Sequence, residues 1–250
     1  MSSPAQVLSV VASAGELLLR SGAEVARVED TLTRIAQAYG YYDVEIYATP
    51  TGLFVTLGSE RHMTAIRRIE GRAIALDRVS AINALSRELT ADPAPPSEVI
   101  RAIQNIANQA PPVPNWATPA TNAVAAAACT MLVGGSLSDF GPALLANVFV
   151  QGVHRVRESL RLPEAVGDFA SGATAVVCAL AATRWLGASF TPVVAGGIMV
   201  LVPGIAFTTS VRDAMMGDLT SAAARGLEAV MKVASLASGV AAALYATGRL

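Results

Sequence analysis

From Trp185 to Val211 the chain carries no charged residue, and this run is broken by Pro203-Gly204 before it leaves through Arg212-Asp213 and Asp218. About 20 apolar residues cross a bilayer core, and a charge at its centre costs several kcal/mol, so an uncharged stretch of this length reads as a membrane segment. The Pro-Gly break frees backbone amides and carbonyls that lipid cannot satisfy. The segment LVPGIAFTTSVRDAMMGD is therefore expected to face a bundle interior or a polar cavity rather than lipid.

The charged residues divide the chain in two. Ten of the 18 basic and twelve of the 19 acidic residues precede Trp116. This predicts an α+β cytoplasmic domain over residues 1–110 followed by an all-α transmembrane domain over 111–250 with about five helices. A net charge of −1 gives no electrostatic footprint for nucleic acid. Residues 1–20 lack a basic start and include Glu16, so they do not read as a signal peptide, and the first domain is placed in the cytoplasm. Cys129 and Cys178 lie far apart in apolar runs, and neither His62 nor His154 belongs to a motif with a nucleophile or metal ligands. No metal, cofactor or enzymatic chemistry is expected.

Leu8, Val11, Leu18 and Leu19 predict a first helix with a narrow buried face. Ser21 and Glu24 are spaced as a capping box for a second helix, whose apolar face is Val25, Val28, Leu32, Ile35 and Tyr39 and whose end is Gly40. The period then falls to two. Val44 and Ile46, then Leu53, Val55 and Leu57, read as strands about the turn Thr49-Pro50-Thr51-Gly52, with a third strand near 63–69. Val79, Ile82, Leu85 and Leu89 restore helical spacing, and a further helix is expected over 97–109 after a proline-rich linker. Spans are expected at 116–136, 140–156, 166–186, 190–210 and 226–247. Arg155, Arg157, Arg161, Arg212 and Arg225 fall on one side of this pattern, and Arg184 and Arg249 on the other, which puts the C-terminus outside. The odd count, with no internal repeat, suggests that another chain supplies a second half.

Three groups of residues could carry chemistry. Glu24, Arg27, Glu29 and Asp30 share the second helix, where Glu24–Arg27 and Asp30–Arg34 are spaced to pair; they form either a solvated face or a docking or ligand surface. Thr49, Pro50, Thr51 and Gly52 form either an anion-binding turn or an ordinary one. The broken span brings together Pro203, Gly204, Thr208, Thr209, Ser210, Arg212, Asp213 and Asp218 as a candidate transport pathway, because half-helix ends attract ions of opposite sign. Asp168 joins it as either a helix N-terminal acid or a proton relay, and Glu228 and Lys232 are spaced to pair on one face. Ser235, Gly239 and Ala243 suit close helix packing.

The segments GELLLRSGAEVARVEDTLTRIAQAYGY, ATPTGLFVTL and VPGIAFTTSVRDAMMGDLTSAAARG, in this order, resemble the threonine/serine exporter family from about Gly15 to Gly239. The resemblance implies a cytoplasmic N-terminal domain on membrane helices and proton-driven export of small polar metabolites. Members of the family occur as fused two-part proteins and as split pairs, and the resemblance implies the split form here, in which a chain like this one joins a second small membrane subunit in an oligomeric transporter of the cell membrane. A subunit exporting threonine or serine is the leading expectation. A dicarboxylate exporter subunit is the nearest alternative, although Arg212 beside an acid offers a single cation. A membrane-anchored enzyme or sensor using Glu24, Arg27 and Thr51 is the alternative of a different class.

Overall fold

The computed structural model describes residues 3–58, 63–71, 73–114 and 116–248, so His62 and Arg249 lie outside the described residues. It divides into two compact units: Met1–Ala110 with Thr208–Gly226, and Pro111–Phe207 with Leu227–Leu250. The stretch after the Pro-Gly break is thus folded into the first unit, and α9 and α10 each change unit along their length.

In the first unit, α1 (Pro4–Arg20) starts at a capping box in which Ser3 and Gln6 exchange bonds, with Pro4 in the first turn. The narrow buried face expected for it is corrected. Val7, Leu8, Val10, Val11, Ala12, Ala14, Gly15, Leu17, Leu18 and Leu19 are all buried, because α2, α3, α4 and the sheet surround the helix. Gly15 is the closest approach: a Cβ there would lie 2.5 Å from Leu53 and 2.7 Å from Leu32, both fully buried.

α2 (Val25–Ala38) buries Val25, Val28, Thr31, Leu32, Ile35 and Ala36, the expected stripe. The expected Ser21/Glu24 capping box does not form. Ser21 instead closes α1, its amide donating to Leu17, and Glu24 holds the N-cap position without a side-chain bond to the helix. The separation of two helices by only Ser21 to Glu24 commits Ser21 to the end of the first.

Strands β1 (Val44–Thr49), β2 (Gly52–Leu57) and β3 (Met63–Arg68) form an antiparallel meander in the order β1-β2-β3. Thr49 pairs with Gly52, leaving a two-residue turn of Pro50-Thr51. Ala48, Leu53, Val55 and Leu57 face the core. On the opposite face Tyr47, Phe54 and Ile66 align across all three strands, and all are exposed. Helices α3 (Leu76–Ala91) and α4 (Pro96–Asn108) add Ile82, Leu89, Val99 and Ile103 to the core.

The second unit contains α5 (Thr118–Leu132), α6 (Leu137–Ser159), α7 (Glu164–Leu186), α8 (Phe190–Met199), the start of α9 (Gly204–Met215) and most of α10 (Leu219–Ala246). Its helices pack through small side chains, with Ala127, Ala143, Ala146, Ala179 and Ala182 buried. Among the described residues, α7 and α10 are long and apolar enough to cross a membrane, and the pair α8–α9 makes a third if its two bent parts are one span. The expected first span is shorter than its apolar run: α5 has 15 residues and stops before Gly134, whose φ of +93° leaves the helical region. α10 starts seven residues before the expected 226, where Asp218 accepts a hydrogen bond from the Ser221 amide at 3.0 Å. α7 and α10 touch through glycines. A Cβ on Gly172 would strike the Leu236 carbonyl, and one on Gly239 would strike the Phe169 carbonyl.

Candidate functional site

The Pro203-Gly204 break is a bend of 60° between α8 and α9. In the last turn of α8 the Gly197 carbonyl accepts from the amide of Asn147, a fully buried residue of α6, at 3.4 Å. Gln151, one turn along, donates to Asn147 at 3.5 Å. This polar pair, inside the expected 140–156 span, thus serves backbone beside the break, as an apolar surround demands. At the start of the same helix, the buried Asp139 carboxylate accepts from the Ser136 amide and the Ser189 amide, both at 2.7 Å, tying α6 to the entry of α8.

Beyond the break, the charged candidates are committed to the first unit. Arg212 contacts the Glu24 carboxylate, whose other oxygen lies 3.4 Å from Arg27. Asp213 is buried, with Arg225 Nε 3.3 Å away, an ion contact without hydrogen-bond geometry. Arg225 also donates to the Ala23 carbonyl at 2.8 Å. Ser210 donates to the Ala222 carbonyl at 2.7 Å, while Thr208 and Thr209 open this stretch and Asp218 caps α10. Two groups expected separately, Glu24 and Arg27 on one side and Arg212 and Asp213 on the other, are therefore one network. Its central cation, Arg225, was legible only as a loop charge, since no local pattern reveals a contact 202 positions away.

Glu29 accepts from the Ala48 amide at 2.9 Å, joining α2 to β1. Burial raises its pKa above 4.5, against the lowering effect of that bond, and the nearby Asp218 raises it further. Asp30 pairs with Arg34 on the exposed face, as its spacing predicts. In the hairpin, Thr49 donates to the Gly52 carbonyl at 3.2 Å and the Thr51 carbonyl accepts from Ile69, so these turn groups are spent on holding the sheet together.

In the second unit Asp168 is buried near the start of α7 and lies 4.0 Å from Lys232 of α10. Lys232 therefore has a partner on another helix besides the Glu228 spacing. His154 of α6 lies within electrostatic reach of both. Among the described residues, no group of His, Cys, Asp and Glu is arranged to hold a metal ion.

Comparison with known proteins returns one family. The family model of the threonine/serine exporter, ThrE, matches residues 9–246. A protein of Mycobacterium tuberculosis named "Probable threonine/serine exporter" is 25% identical over 238 residues, covering 94% of this chain and 45% of that protein. The "Threonine/serine exporter" of Corynebacterium glutamicum is 25% identical over 246 residues, covering 94% of this chain and 50% of its own length. The chain thus spans about half the length of the curated relatives it matches. No solved structure matches it.

Proposed function

We propose, from the premise that this chain belongs to the threonine/serine exporter family, that it is a subunit of a secondary transporter moving threonine, serine or a similar small polar metabolite out of the cell. The observation that carries the reading is the family match over nearly the whole chain, joined to a broken membrane segment whose bend is served by a buried amide. Such backbone gives a solute polar contacts inside an apolar layer, which a continuous helix cannot offer.

In this reading α5 to α10 supply about five crossings, the first domain lies in the cytoplasm, and the proton gradient drives export. A second small membrane subunit, as in the split form of the family, completes the pathway in this reading. Pro203, Gly204, Thr208, Thr209 and Ser210 line it, with Asp168 as the acid of the membrane part. Arg212, Asp213 and Asp218 act through their links to Glu24, Ala23 and the start of α10, and the chain works as a transporter rather than an enzyme.

Proteoliposomes loaded with labelled L-threonine test this, using the chain alone and together with a small membrane protein encoded beside it. The expected result is efflux that rises with an imposed pH gradient and needs both chains. Equal efflux from protein-free liposomes, or efflux of succinate but not of threonine or serine, overturns the reading.

A further inference from the structure

The helices α6, α7 and α10 bring together a second polar cluster, wholly within the second unit. Asp168 is 2% exposed, and Lys232 Nζ stands 4.0 Å from its Oδ1. That separation is too long for a hydrogen bond, so a buried carboxylate has a counter-charge that neutralises it without binding it closely. Three further polar atoms here are sealed from solvent and have no hydrogen-bond partner: Ser171 Oγ, His154 Nε2 and Arg157 Nε. Ser171 is fully buried and lies three residues from Asp168, on the same face of α7. Beside it Gly172 meets the backbone of α10, the helix that carries Lys232.

Nearly all buried polar side chains are hydrogen-bonded, and such orphans beside a stretched ion pair call for an occupant. The neighbouring charges do not supply one. Arg157, whose side chain covers Gly167, lies 3.5 Å from Glu158 and 4.0 Å from Glu164, so its charge is balanced there. Nor is the ion pair needed to hold α7 on α10, since Gly172 and Gly239 already bring the two backbones into contact.

We propose that Asp168, Lys232, Ser171 and His154 form a binding site for a zwitterionic α-amino acid that carries a side-chain hydroxyl. The ligand lies alongside the pair, its ammonium meeting Asp168 and its carboxylate meeting Lys232, so the net charge of the site does not change. Its hydroxyl meets Ser171, a donor and acceptor, with His154 as the second polar contact. A site built to bond a hydroxyl discriminates against the analogue lacking it, because its own polar groups are then left unpaired. This inference rests on the exporter reading and gives its substrate a place among named residues.

The test is equilibrium binding of labelled L-serine and L-alanine to the full chain in nanodiscs, together with its partner subunit. Asp168→Asn and Lys232→Met are expected to weaken L-serine binding at least tenfold. Ser171→Ala, which leaves the ion pair intact and guards against misfolding, is expected to lower the preference for L-serine over L-alanine about fivefold while L-alanine affinity holds. Folded variants whose L-serine affinity stays within twofold of the parent overturn the site but not the exporter. So does a Ser171→Ala variant that weakens both ligands equally. A parent complex that binds neither L-serine nor L-threonine overturns both.

Discussion

Arg225 bridges two parts of the chain that are remote in sequence: its Nε lies 3.3 Å from the Asp213 carboxylate, and its Nη2 donates to the Ala23 carbonyl at 2.8 Å. Both side chains are withdrawn from water. Removing one member of a buried pair leaves the other charge uncompensated, at a cost of about 3–5 kcal/mol. Arg225→Ala is therefore expected to lower the thermal unfolding midpoint of the detergent-solubilised chain, with Asp213→Asn in the same background recovering part of the loss. A melting curve unchanged by Arg225→Ala would show that the pair contributes nothing.

The glycine contacts between α7 and α10 involve backbone on the opposing helix, which cannot swing aside as a side chain would. Gly172→Val and Gly239→Val should each destabilise the chain by about 3 kcal/mol, the upper end of overpacking costs. Gly141→Ala, where a Cβ meets nothing within 4 Å, should be nearly neutral. Thermal shift in detergent separates them, and equal midpoints for all three variants would refute the contact.

Glu29 gives a pH signature. Burial, the largest cause, raises its folded-state pKa above 4.5. Such a carboxyl favours the folded chain fully below its unfolded value, and that contribution is lost as pH rises through the folded value. Stability contributed by this group should thus decline from about pH 4.5 upward. Glu29→Gln, whose amide oxygen can still accept from Ala48, should flatten the decline. Denaturant unfolding of both proteins across this range is the measurement, and identical slopes would exclude Glu29 as the source.

Asn147 answers the Gly197 carbonyl from a fully buried position. Asn147→Leu should destabilise the chain by about 1 kcal/mol, the scale of interhelical hydrogen bonds in membranes. It should also slow efflux in proteoliposomes, because backbone beside the bend loses its partner. Wild-type efflux in a folded Asn147→Leu protein would separate the bend from transport.

Periodicity was enough for α2 and for the hairpin about Pro50-Thr51, because each shows a face that local spacing alone defines, while α7 was legible as a long apolar run. It misjudged α1, where Ala12, Ala14 and Gly15 read as gaps between large residues yet are buried against other elements. Small side chains carry little pattern but allow close approach. The Ser21/Glu24 spacing fitted a capping box equally well, but the preceding helix claimed Ser21 first. Among the site residues, the Pro203-Gly204 break was plain from composition. The engagement of Arg212 and Arg225 with residues near position 24 was not, since contacts across so much chain leave no local trace. Asn147 and Gln151 did leave one: two amides four apart inside an apolar run.

In the proposed exporter, the bend between α8 and α9 also has a consequence for how cargo feels the membrane voltage. Ten residues of α8 rise about 15 Å, half of a hydrocarbon core of about 30 Å. With Phe190 at one face of that core and α8 along the membrane normal, as in the proposed exporter, Pro203-Gly204 lies where the transmembrane field has fallen about halfway. A solute with one net charge reaching that depth exchanges about 1 kcal/mol with a 100 mV potential. A solute whose charges cancel exchanges none, so the voltage dependence of flux reads out the net charge of whatever passes the bend.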